Sequence, residues 1–215
     1  MENKNIQILA EHYQKAFEVA YETWKQRNKL YLWLLMLVSV AVLLTYQAPQ
    51  ANPLLVDWIT NLLGITESTR IDEIRNSFPY AVLNSALGFA IFYTLVNLYQ
   101  HNRIIGQNNF YLPRLESELR NKLGLEKESV FFTRESSFNT GERFKDGKLI
   151  AWTYVISLGL LLFAFIGGRV IDDLRLKNLP LIFIDSILAI LILIYFYLYA
   201  RSALGLGRRK EKKQR

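Results

Sequence analysis

The sequence predicts an all-α, polytopic membrane protein with four transmembrane helices, an N-terminal amphipathic cytosolic helix and a short helical cytosolic loop. Three observations predict it. Hydrophobic residues make up 51% of the 215-residue chain, above the 45–50% usual for a soluble domain even when glycine is counted. The excess is gathered into four near-continuous apolar runs, residues 30–46, 79–99, 149–170 and 180–200. Lys and Arg alternate in density between those runs: twenty-one of the 26 lie before the first, between the second and third, and after the fourth.

As helices, the runs extend roughly 26–33 Å, which matches a hydrocarbon core of about 30 Å. The first is the shortest, and Lys29 and Gln47 at its ends can snorkel. Residues 1–29 are too polar for a cleavable signal, and no small-residue cleavage site follows the first run, which is therefore expected to stay as an anchor. The positive-inside rule puts residues 1–29, 100–148 and 201–215 in the cytoplasm and residues 47–78 and 171–179 outside. Tyr31, Trp33, Tyr99, Trp152, Tyr154, Tyr197 and Tyr199 then fall at the cytoplasmic helix ends, where amphipathic rings favour the headgroup layer.

Before the first span, Ile6, Leu9, Tyr13, Phe17 and Trp24 recur at helical spacing and leave Glu11, Lys15, Glu22 and Lys25 on the other side. Such a face needs cover. The cover is the cytoplasmic loop of the same chain, the inner leaflet, or the same helix of neighbouring subunits, so these five residues form a candidate face for self-association or for a cytosolic protein partner.

The first outer segment opens a short amphipathic helix at Pro53, with Leu54, Leu55, Trp58, Ile59, Leu62 and Leu63 on one side and Asp57 on the other. It is too short to span and reads as interfacial, on the outer leaflet or over the mouth of the bundle. Thr69 and Asp72 form a capping box for a polar helix ahead of Pro79. In the cytoplasmic loop, Pro113 opens a helix that Gly124 ends, and "VFFT" at 130–133 is a short apolar segment. Fewer than 50 residues without a disulfide or metal rarely build a core of their own, so the loop is a platform rather than a catalytic domain. The basic tail after residue 201 is accounted for by anionic lipid, at about 1 kcal/mol per charge, without invoking nucleic acid.

The residues required for intramembrane catalysis are missing. Both histidines, His12 and His101, lie outside the apolar runs, the HExxH motif is absent, and an aspartyl dyad would need two acids in the spans where there is one. The chain has no cysteine, which excludes disulfides, thiolate zinc sites and cysteine nucleophiles. Glu11, His12, Glu18 and Glu22 do not converge on a helix, so no metal ligands are assigned. Neither a catalytic residue nor a cofactor is expected.

The polar groups at membrane depth are Asp185, Arg169 and Asn84. Asp185 sits five residues past Pro180, roughly 8 Å inside the outer end of its span. A short connection makes the third and fourth spans antiparallel neighbours and brings Arg169 to a similar depth. Asp185 either pairs with Arg169, faces a pore or vestibule, or snorkels. Asn84 is expected to make an interhelical hydrogen bond. Ala81, Ser85, Ala86, Gly88 and Ala90 in the second span, with Gly167 and Gly168 in the third, are small enough for close helix packing, within one bundle or between protomers.

A transporter would need midplane charges, broken helices or internal repeats, and the chain has none of these. Two classes remain: an oligomeric pore or membrane-perturbing effector, and a membrane adaptor whose cytosolic part recruits a partner. The run Tyr13, Phe17, Tyr21, Trp24, Arg27, Asn28 leading into an apolar span resembles the lead-in helix of small bacterial membrane effectors of anti-phage defence. These include the SLATT-type and other two- and four-span modules that accompany nucleotide-signalling, retron or CRISPR components. The outer helix and second hairpin depart from the two-span members. The resemblance implies a bacterial inner membrane, depolarisation that halts an infected cell, and a partner that triggers it; it carries over no functional residue.

Overall fold

The computed structural model describes residues 2–46, 51–77, 80–125, 143–176 and 179–205. In chain order the helices are α1 (Glu2–Thr45), α2 (Ala51–Leu62), α3 (Ser68–Ser77), α4 (Tyr80–Lys122), α5 (Arg143–Leu176) and α6 (Leu179–Ala203), with no strand among the described residues. Four of them are long and apolar enough to cross a membrane: α1, α4, α5 and α6. The chain is an all-helical, multi-pass membrane protein.

Helix lengths differ from the sequence reading. The amphipathic helix and the first span are one unbroken element, because no Gly or Pro occurs anywhere in Glu2–Thr45 to end it. Helix α4 likewise runs through Pro113, where the sequence suggests a new start. An interior proline costs about 3 kcal/mol or more. Burial on both sides offsets it, since Leu112, Leu115 and Leu119 are all within 7% of full burial. The stop at Gly124 is as read: its φ is +61°, and the Leu125 N–H bonds the Arg120 carbonyl at 3.1 Å. Helix α5 reaches Leu176, so residues 171–176, expected in the turn, are helical. Residues 177 and 178, the "VFFT" segment and the tail beyond residue 205 lie outside the described residues.

The chain divides into two compact units. The first comprises Met1–Tyr31, Val96–Ile156 and Phe196–Arg215. Here α1 and α4 run antiparallel: Gln26 bonds His101, while Tyr13 donates to Glu116 at 2.9 Å and His12 bonds the Tyr111 hydroxyl. Glu116 is completely buried, which is tolerated because a hydroxyl donates to it. Tyr31 stacks on Tyr154 with ring centroids 4.6 Å apart and donates to its carbonyl, and Asn102 donates to Ser202 at 2.9 Å. These contacts bring α5 and α6 into the same unit.

The second unit comprises Leu32–Leu95 and Ser157–Tyr195. Its buried positions recur at steps of three and four: Leu34, Val38, Ala41 and Leu44 on α1; Asn84, Gly88, Ile91 and Leu95 on α4; Leu158, Leu162, Phe165 and Arg169 on α5. That repeat is the packing stripe of a helical bundle. The outward residues are equally apolar, Met36, Leu43, Phe89, Leu160 and Ile190 among them. An apolar exterior of this kind fits lipid as the solvent. Helix α2 buries Val56 and Thr60 and leaves Trp58 and Leu62 exposed. It is clamped to α3 by Arg75 Nη2 on Asp57 Oδ1 at 2.6 Å. The expected Thr69–Asp72 box does not form: α3 starts at Ser68, and Asp72 instead accepts from Arg75 at 3.2 Å.

The small-residue positions separate sharply. A Cβ on Gly168 would lie 2.6 Å from Thr45 Cγ2 and 3.2 Å from Tyr46 Cε2, so α5 meets α1 there through backbone. Tyr46 seals the contact by donating to the Ala164 carbonyl at 3.2 Å. At Gly88 the neighbour is the Leu188 Cδ2 atom, 2.7 Å away, the movable end of a flexible side chain. Gly167 has open space around it and Ala86 is exposed, so neither serves the packing expected of it within this chain. Ala90 is half-buried, and the side chain of Ala81 lies outside the described residues. Gly168→Val should therefore destabilise the detergent-purified protein by about 1–3 kcal/mol, while Gly167→Ala stays within about 0.5 kcal/mol. Thermal melts followed by helical circular dichroism measure both, and equal losses would remove the α1–α5 contact as the cause.

Candidate functional site

The site forms in the second unit, near the ends of α4, α5 and α6 that share one depth. Ser85 lies five residues past Tyr80, Asp185 six past Leu179 and Arg169 seven before Leu176. At 1.5 Å per residue these offsets are about 8–10 Å. Antiparallel neighbours in this register bring the three side chains to one point.

Arg169 and Asp185 meet there. The Asp185 Oδ2 atom accepts from Arg169 Nη2 at 2.6 Å, from Arg169 Nε at 2.9 Å and from the Ser85 hydroxyl at 3.2 Å. Arg169 Nη2 also donates to Ser85 Oγ at 2.9 Å. The two charged side chains are 6% and 5% exposed. Two formal charges away from water are tolerated only when paired and hydrogen-bonded in this way. Of the three possibilities open for Asp185, the structure adopts the pair.

Ser85 takes a role that the sequence reading missed. It reads there as a small packing residue, yet it binds both members of the pair. The signal available was depth: its distance from the start of its helix matches that of Asp185. Asn84, beside it, is 5% exposed, and its Oδ1 atom is buried without a hydrogen-bond partner among the described residues, so the expected interhelical bond to that oxygen does not form. Asn84, Arg169 and Asp185 border a cavity of about 150 Å³ whose other walls include Gly88, Phe165, Leu188 and Ile192.

The candidate partner face on α1 is partly used within the chain. Ile6, Leu9, Tyr13 and Phe17 are half-buried, Tyr13 bonds Glu116, and Trp24 remains 47% exposed, stacked on Tyr21 at 6.2 Å. Among the described residues no three His, Asp or Glu side chains gather as a metal site. No family model, curated protein or solved structure matches the chain.

Removing one member of the buried pair strands the other. Arg169→Gln and Asp185→Asn should each cost about 3–5 kcal/mol, whereas the double substitution, which leaves no charge, recovers much of that loss. Thermal denaturation and the monodisperse fraction in detergent read the cycle. A double variant as unstable as the sum of the singles would show that the two residues are uncoupled.

Proposed function

We propose that the protein is an oligomeric, multi-pass protein of the bacterial inner membrane, both termini cytoplasmic, that acts as a membrane-depolarising effector. The observation that supports this reading most is the sealed Arg169–Asp185–Ser85 cluster. Spans that only anchor a protein need no charge, and charge kept at membrane depth is expensive unless function uses it. The cluster joins three helices through polar contacts that can be broken and remade, so it is a latch on a closed bundle. Conduction is a property of several copies, because the buried polar side chains described in the second unit, Thr45, Thr60, Asn84, Arg169 and Asp185, form no file through one bundle. The lead-in run from Tyr13 to Asn28, with its likeness to anti-phage effectors, supplies the biological setting: a partner releases the latch and the infected cell loses its membrane potential.

A second reading, a non-conducting adaptor, is favoured by a different observation. Ile8, Val19, Tyr21 and Trp24 are 47–60% exposed on the polar half of α1, outside the apolar run. Exposed aromatic and aliphatic groups there suit a cytosolic protein partner.

Expression in bacteria with a potential-sensitive dye separates the two. Asp185→Asn should depolarise cells at expression levels where the native chain does not, and the native chain should do so together with its neighbouring gene products. Polarised cells under all these conditions, with the protein present in the membrane, would leave the adaptor.

A further inference from the structure

The cavity beside the latch has two kinds of wall. Phe165, Leu188 and Ile192 close its inner end and are themselves buried. Toward the C-terminal end of α5 it is bordered by Leu174, which is 64% exposed, and by Ser186 of α6, also exposed. Leu174 lies two residues short of Leu176, about 3 Å from the end of its helix. The rim is therefore close to the membrane surface.

Between these walls lie Asp185 and Asn84. Every bond to the Asp185 carboxylate ends on Oδ2. The fully occluded side-chain atoms that lack a partner include Asn84 Oδ1 but neither Asp185 Oδ1 nor Asn84 Nδ2. Neither of those two atoms is hydrogen-bonded within the chain, so each keeps surface that solvent can touch in the cavity it lines. The Ser186 hydroxyl makes no bond within the chain either.

Size alone does not decide what such a cavity holds, because a purely apolar one of similar volume stays dry. Lining decides it. A buried water needs two to four polar partners, and here a carboxylate oxygen accepts, an amide N–H donates and a hydroxyl does either. The volume of about 150 Å³ has room for several waters, each taking ~30 Å³. An acid at membrane depth is stabilised by a partner or by a water-filled cavity, and the two oxygens of Asp185 divide these roles. One is held by Arg169 and Ser85, and the other is left to water.

We infer that this cavity is a water-filled recess through which the aqueous phase beyond the C-terminal end of α5 reaches the Asp185 carboxylate. Water bonds Asp185 Oδ1 and Asn84 Nδ2, while the pair itself stays buried, its side chains 6% and 5% exposed. The recess gives small solutes of the aqueous phase a route to the latch.

The chain has no cysteine, so a single introduced thiol reports its own surroundings. Ala189 lines the cavity, and Ile190, next in sequence, is 58% exposed on the outside of the bundle. The full chain in lipid nanodiscs is treated with the charged reagent 2-aminoethyl methanethiosulfonate, and intact-mass spectrometry follows the reaction. Ala189→Cys should react about tenfold faster than Ile190→Cys, since each unit by which lipid raises a thiol pKa costs a factor of ten in thiolate. Equal rates, or an inert Ala189→Cys, would overturn the inference. Water-edited solid-state NMR of the native chain in bilayers makes the same comparison without a variant. The methyl groups of Ile192, on the cavity wall, should gain magnetisation from water faster than those of Ile190 and Ile194, which are 58% and 48% exposed. Equal build-up would mean that acyl chains fill the recess, and the inference fails. Both readouts report hydration and not conductance, so they stand apart from the fate of the proposed function.

Discussion

Lipid cannot solvate a charge, and that constraint organises the second unit. Arg169 and Asp185 must find each other inside the bundle, and Ser85 completes the set on a third helix. Three of the four bonds converge on one carboxylate oxygen and the fourth joins Arg169 to Ser85, which leaves little freedom in how α4, α5 and α6 are rotated. A slip of one residue turns a helix by about 100° and shifts it 1.5 Å, enough to unmake every bond in the cluster. The three- and four-residue stripes of buried positions follow from the same registration, because the helix faces that meet at Arg169 also meet at Phe165 and Leu188. In a chain whose outward residues are as apolar as its inward ones, packing alone would define that rotation weakly.

The first unit is organised differently. Its helices meet through aromatic hydroxyls, a fully buried glutamate and two histidines, in addition to the leucines of α4. Each such bond contributes modestly, about 0.5–1.5 kcal/mol, yet leaving its buried partner unsatisfied costs more. Tyr13 and Glu116 therefore specify which faces of α1 and α4 meet, while Leu112, Leu115 and Leu119 supply the burial. Pro113 stays inside α4 because both of its helical flanks are committed to that interface.

The architecture was legible because four apolar runs of bilayer length leave few alternatives, and the shared depth of Arg169 and Asp185 followed from a short connection between antiparallel spans, while their pairing was one of three readings left open. Helix limits were less legible. Composition changes sharply at Lys29 and at Gln100, but a change between polar and apolar does not by itself end a helix: α1, which has no Gly or Pro, runs straight through, and α4 does so even with Gly106 and Pro113 inside it. Small residues were legible as a class and not one by one. A Cβ on Gly168 would strike Thr45 while one on its neighbour Gly167 would meet nothing, a 100° difference that depends on which face α1 occupies. Ser85 and Asn84 exchanged roles for the same reason: the hydroxyl reaches the ion pair, and the amide oxygen is left buried without a donor among the described residues.

The position of the two charges on consecutive helices also bears on biogenesis. Arg169 and Asp185 are 16 positions apart, on α5 and α6, whose ends are separated by two residues. Either helix entering the bilayer alone would carry a bare charge, at a penalty that translocon scales put at about 2.5–3.5 kcal/mol at the centre of a span and that is smaller at the depth of these two residues. Entering together as a hairpin, they are electrically silent. The pair thereby suits α5 and α6 to enter the bilayer as one hairpin.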